Sequence, residues 1–231
     1  MAKKDTSGLE VFESNENLQN EFSKAEGFVK KNANLLTYIG GAILLAAAAI
    51  VAYNYWTKTQ DTEAQAALFP SVYSFESDSL AKALKGSAAT QGLTAVADEY
   101  GSTDAGNLAN FYAGVALLKQ AKYDEAIERL GNFNSSDLLV QARAHSLIGD
   151  AYMEKKSPAD AIKFYEKAID NNANSFFTPA YMMKLGVAQE AAKDNAAALA
   201  TYAKVLEKYP NAPEVANAKR FKAKLEGVVG E

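Results

Sequence analysis

From Leu35 to Trp56 the chain reads LLTYIGGAILLAAAAIVAYNYW, and no charged residue falls between Lys31 and Lys58. A helix rises about 1.5 Å per residue, so these 22 residues reach roughly 33 Å, against a bilayer hydrocarbon core of about 30 Å. Inside such a core every backbone N–H and C=O must find an internal partner, and for a single segment only a helix supplies them all. Tyr53, Tyr55 and Trp56 gather at the far end, where amphipathic rings sit well among headgroups. The pattern predicts a transmembrane helix over 34–57, with membrane lipid as its surroundings. It separates an arm at 1–33 from a larger domain at 58–231.

Three other readings compete. A buried core helix is usually shorter and broken by polar residues. A cleaved signal peptide is the stronger rival, because Ala47, Ala48 and Ala49 mimic a cleavage site. Yet about 34 residues with six acids precede the run, unlike a signal peptide's short basic start. Cleavage would also leave an apolar start, Ile50-Val51-Ala52-Tyr53. With no Cys in the chain, a lipoprotein anchor is excluded. Lys24, Lys30 and Lys31 lie before the span, whereas Lys58 alone follows closely, with Asp61 and Glu63 behind it. The positive-inside rule then puts the N-terminus in the cytoplasm and the 174 residues of 58–231 outside.

The net charge of −4 divides into −1 before the span (five Lys, six acids) and −3 after it (19 bases, 22 acids). That is too mild a balance for nucleic-acid binding. Zero Cys removes disulfides, thiolate metal sites and thiol catalysis, and suits an oxidising compartment such as a bacterial periplasm. Abundant Ala and only five Pro suit close-packed helices.

Residues 1–13 are polar and mixed in charge, the composition of a disordered segment. Leu18, Phe22, Ala25 and Val29 then form a helical stripe that Ser14 is placed to cap. Such a short amphipathic helix either lies on the inner leaflet, docks on a partner or serves neither purpose. Within the span, Gly40, Gly41, Ala42 and Ala46 make a small-residue patch where another membrane helix has room to approach, although Ala is also ordinary filler there.

Beyond the span, Ala64, Leu68 and Val72 predict a helix that Pro70 should kink or end. Asp78-Ser79 reads as a new cap, followed by Leu80 and Leu84 and closed by Gly86. Leu93, Val96 and Tyr100 give another short helix, stopped at Gly101. The chain then repeats. Gly114, Gly149 and Gly186 stand 35 and 37 residues apart. Twelve residues after each comes Ala126, Ala161 or Ala198, then four further on Leu130, Tyr165 or Tyr202, then three further on Phe133, Ala168 or Val205. Three residues after the glycine stand Leu117, Tyr152 and, as a departure, Gln189.

This is the pattern of a helical hairpin. A small residue in each helix lets the two approach, and the large residues fill the space above and below. One hairpin cannot bury its apolar face alone, so copies stack. The unit resembles the tetratricopeptide repeat, and Tyr209-Pro210 sits where that family often closes a unit. A degenerate first unit is expected between Gln60 and Tyr100. Pro158 departs from the pattern at a turn where Tyr123 supplies the usual aromatic in the earlier unit. Pro213 opens a last helix, with Val215, Ala218, Phe221 and Leu225 inward and Lys219, Arg220, Lys222 and Lys224 outward. A polar-faced helix of this kind caps a solenoid.

The fold class is therefore all-α, one transmembrane helix followed by a tetratricopeptide-type α-solenoid. By that resemblance a concave face is lined by Phe111, Val115 and Lys119, then by Arg143, Ser146, Asp150 and Met153, then by Met183, Val187 and Glu190. Apolar, Met-containing lining suits extended or partly unfolded polypeptide, although some of these residues would equally serve to pack neighbouring helices. The repeated Asn and Lys lining of carboxylate-clamp repeats is missing. The single His145 has no Cys or second His beside it, and the pairs Asp98-Glu99 and Asp124-Glu125 read as solvated helix-surface acids. No catalytic residues, cofactor-binding motif or metal-ligand spacing is visible.

The order of parts, with the stretch DEYGSTDAGNLANFYAGVALLKQAKYDEAIERL, resembles the YfgM-type ancillary subunits of the SecYEG translocon. That resemblance implies a bacterial inner-membrane protein with a periplasmic repeat domain and no enzymatic activity. It would join a membrane-anchored PpiD-type chaperone beside SecYEG, where secreted or outer-membrane clients emerge unfolded. The competing reading is a membrane-anchored scaffold for cell-envelope assembly or division. An enzyme with an unfamiliar site is the third.

Overall fold

A computed structural model describes residues 15–171 and 173–229. The disorder expected for residues 1–13 and the cap expected at Ser14 lie outside those residues, as does the side chain of Leu18. The chain divides into two units, Met1–Trp56 and Thr57–Glu231.

The first unit holds α1 (Asn15–Lys31) and the opening of α2 (Ala33–Glu76). Phe22, Phe28 and Val29 of α1 are exposed. The apolar window of α2 has a mean hydropathy of 2.3 and none of it is buried. Ile43, Leu44, Leu45 and Val51 stand open along it. The helix is long and apolar enough to cross a membrane. Thr37 donates its hydroxyl to the Ala33 carbonyl at 2.8 Å, so this polar group is satisfied within the helix.

In the second unit α2 continues through Pro70 to Glu76. Of the two outcomes expected of Pro70, a kink or an end, the end does not occur. An interior proline costs about 3 kcal/mol, because it removes an N–H and crowds the carbonyl one turn back. Burial on both sides of it offsets that cost. Ala64, Leu68, Ser71 and Ser74 are buried, and Ala67, Val72 and Phe75 pack beside them. Ser74 donates to the Pro70 carbonyl at 3.0 Å, and Ser71 donates to the Gln91 carbonyl.

After α2 come α3 (Leu80–Lys85), strands β1 (Gly86–Ser87) and β2 (Thr90–Gln91), and α4 (Leu93–Glu99). The strands pair antiparallel, Gly86 opposite Gln91 and Ser87 opposite Thr90. Gly86 holds φ at 77°, and a Cβ at Gly92 would lie 2.2 Å from the Leu84 carbonyl oxygen, so both positions of this tight corner require glycine. Three hairpins follow: α5 (Asp104–Lys119) with α6 (Tyr123–Asn132), α7 (Leu138–Glu154) with α8 (Pro158–Asn171), and α9 (Thr178–Ala191) with α10 (Asn195–Lys208). Helix α11 (Val215–Val229) closes the stack. Thr103 caps α5 by accepting from Gly106 N–H at 3.0 Å, and Asp137 caps α7 by accepting from Leu139 N–H at 2.8 Å. Pro158 is the first residue of α8, where its fixed φ fits and its missing N–H is not needed.

The repeat register holds, with one refinement. The glycines do not face small residues. A Cβ on Gly114 would meet Leu130 Cγ at 2.5 Å, one on Gly149 would meet Tyr165 Cε1 at 2.6 Å, and one on Gly186 would meet Tyr202 Cε1 at 2.3 Å. The large residue thus lies directly on the glycine. Ala126, Ala161 and Ala198 are fully buried. Gln189, the polar departure, is buried and accepts from the Thr201 hydroxyl at 2.8 Å, so its oxygen is paired.

Each first helix also ends in the same Schellman turn. Lys122 N–H bonds to Leu117 C=O at 2.9 Å while Ala121 N–H bonds to Leu118 C=O at 3.0 Å. Ser157 and Lys156 repeat this on Tyr152 and Met153, and Asp194 and Lys193 on Gln189 and Glu190. The residues held left-handed are Ala121 (φ 58°), Lys156 (φ 58°) and Lys193 (φ 66°). The end of α2 makes an identical pair of bonds, Ser79 to Ser74 and Asp78 to Phe75, with Asp78 at φ 56°.

That turn gives the degenerate unit its register. Ser71 stands seven residues before Asp78, as Gly114 stands seven before Ala121. Twelve residues after Ser71 comes Ala83, fully buried like its three counterparts. At the next repeat position, where a Leu or Tyr would press on the first helix, the chain has already left α3 and entered the ribbon. Ser79 stands at the N-cap of α3 as expected and accepts from Ala83 N–H through its carbonyl at 2.9 Å, but its side chain makes no capping bond, and Asp78 belongs to the turn.

Candidate functional site

The first helices α5, α7 and α9 carry the residues read as a concave lining. The structure divides those residues into three groups. Phe111 and Val115 are half-buried between hairpins, packed with Leu130, Phe133 and Ile148. Phe111 and Phe133 place their ring centroids 5.1 Å apart. Lys119 is exposed, 3.3 Å from Asp78 and 5.3 Å over the Phe75 ring.

The second group is a ladder of charge between successive first helices. Lys184 of α9 donates to Asp150 of α7 at 2.7 Å and to the buried Ser146 hydroxyl at 3.3 Å. Tyr165 of α8 donates to the same carboxylate at 2.8 Å. One unit further on, Tyr202 donates to Glu190 at 2.7 Å, and Lys224 of α11 reaches Glu190 at 3.2 Å. Burial, then the neighbouring carboxylate, push the phenols of Tyr165 and Tyr202 well above the ordinary tyrosine range. Arg143 is exposed on the same helix face.

The third group surrounds a cavity of about 390 Å³. Met153 of α7 and Met183 and Val187 of α9 form its apolar walls, α11 adds Asn217 and Phe221, and Glu214 joins them from just before α11. Phe221 stacks on Tyr202 with centroids 5.5 Å apart. The sequence reading treated α11 as a cap and missed its contribution to this wall. Its inward set is nonetheless as expected: Ala218 and Leu225 are buried and Phe221 half-buried. Of the outward lysines, Lys222 pairs with Glu226 and Lys224 with Glu190.

The remaining titratable groups have structural surroundings. Asp98 accepts two bonds from Arg129, which ties α4 to α6 and holds the Asp98 carboxyl below its usual range. Asp124 pairs with Lys155. His145 is half-buried 6.4 Å from Phe164, and burial, then Lys167, push its imidazole pKa down. Among the described residues no three His, Cys, Asp or Glu side chains converge as a metal site.

In the apolar stretch of α2, a Cβ on Gly40 or Gly41 would meet nothing within 4 Å, and Ala42 and Ala46 are exposed. The small-residue patch is bare.

Residues 111–176 match one tetratricopeptide repeat family and residues 180–212 match a second. These matches take in the hairpins whose glycines set the register above. No curated protein matches the chain.

Proposed function

We propose that this tetratricopeptide-repeat chain is a non-enzymatic docking protein, held at a membrane by α2, that binds polypeptide in the groove between α7, α9 and α11. The observation that carries this reading is the Met-lined apolar cavity at that place, on a repeat architecture suited to protein–protein contact. The carboxylates of Asp150 and Glu190, on the first helices beside the groove, are spent on Lys and Tyr partners rather than on a reacting centre. An anchored groove works by effective concentration, so modest intrinsic affinity suffices where clients pass.

The finer reading makes the protein an ancillary subunit of the SecYEG translocon in the bacterial inner membrane. Its N-terminus is cytoplasmic and its repeats are periplasmic, beside a PpiD-type chaperone and emerging unfolded clients. The order of parts supports it: a short arm, one apolar helix with Lys30 and Lys31 before it and Trp56 at its end, then repeats without Cys. In this reading Gly40, Gly41, Ala42 and Ala46 seat a neighbouring membrane helix, and Arg143 and Lys119 meet partner charge at the groove's edge.

A photo-crosslinking residue at Val187 in the full chain, irradiated in native membranes, tests both levels. Crosslinks to SecYEG, the chaperone or nascent secreted chains are expected. Crosslinks confined to envelope-assembly or division proteins would overturn the translocon assignment. Absence of any polypeptide crosslink from Val187, against capture from a matched position on another surface, would overturn the groove itself.

A further inference from the structure

The cavity between α7, α9 and α11 carries an electrostatic asymmetry that the repeat pattern does not require. The carboxylates of Asp150 and Glu190 each accept from one tyrosine and one lysine. Lys184 also borders the cavity, but its ammonium is held by Asp150. Glu214 is different. It stands immediately before α11, its carbonyl takes the first helical bond from Ala218 N–H at 2.8 Å, and its Oε2 is buried with no hydrogen-bond partner. A buried acceptor left unpaired is costly, so a donor that draws the Glu214 carboxylate round into the cavity gains more here than at a solvated acid.

Glu214 lines the cavity together with the apolar side chains of Met153, Met183, Val187 and Phe221. Apolar walls with one acid match a side chain built as an apolar stem carrying a cationic head. We propose that the cavity takes a lysine or arginine side chain from an extended polypeptide segment, its methylenes against Met153, Met183 and Phe221 and its charged head on Glu214. This rests on the groove reading above and adds the chemistry that the groove selects. A wholly apolar side chain fills the same walls but leaves Glu214 unpaired. An acidic one sets like charge beside it. The groove therefore favours segments in which a basic residue is flanked by apolar ones.

The test uses the full chain in lipid nanodiscs and two fluorescein-labelled unstructured peptides of glycine, serine and leucine. One carries a central lysine and the other norleucine, which keeps the stem and lacks the ammonium. Fluorescence anisotropy should show the lysine peptide binding about tenfold tighter, the size of one charge-assisted contact. Glu214→Gln and Glu214→Ala should each erase that preference. Glu166→Gln, on the exposed side of α8, should preserve it and so exclude general attraction to an acidic protein. Equal binding of the two peptides, a preference that survives Glu214→Gln, or no binding of either would overturn the proposal. Met183→Glu, checked for folding by circular dichroism, separates the two levels. If it abolishes binding of both peptides while no lysine preference exists, the groove stands and the basic-residue rule falls. If it leaves binding untouched, both fall.

Discussion

The first complete hairpin and the two after it share a backbone register but are tied together differently. In α5–α6 the residue on the glycine is Leu130, which ends inside an apolar cluster with Phe133 and Ile148. In α7–α8 and α9–α10 it is a tyrosine, whose ring covers the glycine and whose hydroxyl emerges to bond Asp150 or Glu190. Those carboxylates then hold a lysine from the next first helix. A leucine leaves the contact at its own glycine to shape, and the ion pairs of that hairpin, such as Arg129 with Asp98, lie elsewhere. A tyrosine lets the later repeats link core, carboxylate and neighbouring helix in one chain of contacts. The same repeat position thus decides whether a rung of charge borders the groove, and the cavity lies in the half of the stack that has the rungs.

The largest effect that would test this contrast comes from filling the glycines. Gly149→Leu and Gly186→Leu each push a side chain into a tyrosine ring pinned by its own hydrogen bond. Each should lose about 3 kcal/mol in denaturant unfolding of the micelle-solubilised chain. Gly114→Leu should cost less, because Leu130 can change rotamer. Equal losses at all three sites would mean that the pinned rings are no stiffer than the leucine.

A smaller effect belongs to the hydroxyls. Tyr165→Phe and Tyr202→Phe should each cost about 1 kcal/mol near neutral pH, with no counterpart in the first hairpin. Both phenols are raised in the fold, so between about pH 10 and their folded values the unfolded chain ionises while the native one does not. Stability should therefore fall as pH rises above about 10, and the double Phe variant should fall less steeply. Identical alkaline profiles would show that the rungs do not matter to stability.

The smallest effect should be uniform. Ala121→Gly, Lys156→Gly and Lys193→Gly each relieve a left-handed residue in a Schellman turn, at the cost of a more flexible unfolded chain. Each should gain about 0.5 kcal/mol in the same unfolding assay. A gain in only one hairpin would place part of the difference between repeats in the turns rather than in the cores.

Much of this was legible in the sequence because it is local or periodic. The uncharged run at 35–56 sets a span length, and Gly114, Gly149 and Gly186 with their partners at twelve and sixteen residues set three hairpins. The degenerate unit was harder to read. Ser71 replaces the glycine, and Pro70 beside it reads locally as a breaker, whereas burial of Leu68 and Ser74 carries the helix through. The residues read as a lining all stand on first helices, but their partners were not legible. Lys184 lies 34 residues from Asp150, and no pattern along the chain announces an ion pair between stacked helices. Glu214 was hidden by composition, since the basic surface of α11 drew the reading towards a cap.

The ribbon at Gly86–Gln91 has one further consequence. A stack of hairpins is a one-dimensional lattice, and any lattice with an intact end unit can add another. Here the second helix of the end unit stops after Lys85, and the position that would press on its own first helix has been given to a strand. The lattice has a boundary written into its chemistry, since Gly86 and Gly92 fit that corner and a side chain at either does not. Another copy approaching this end finds no matching hairpin to continue. At this end the repeat is broken off by the chain's own corner.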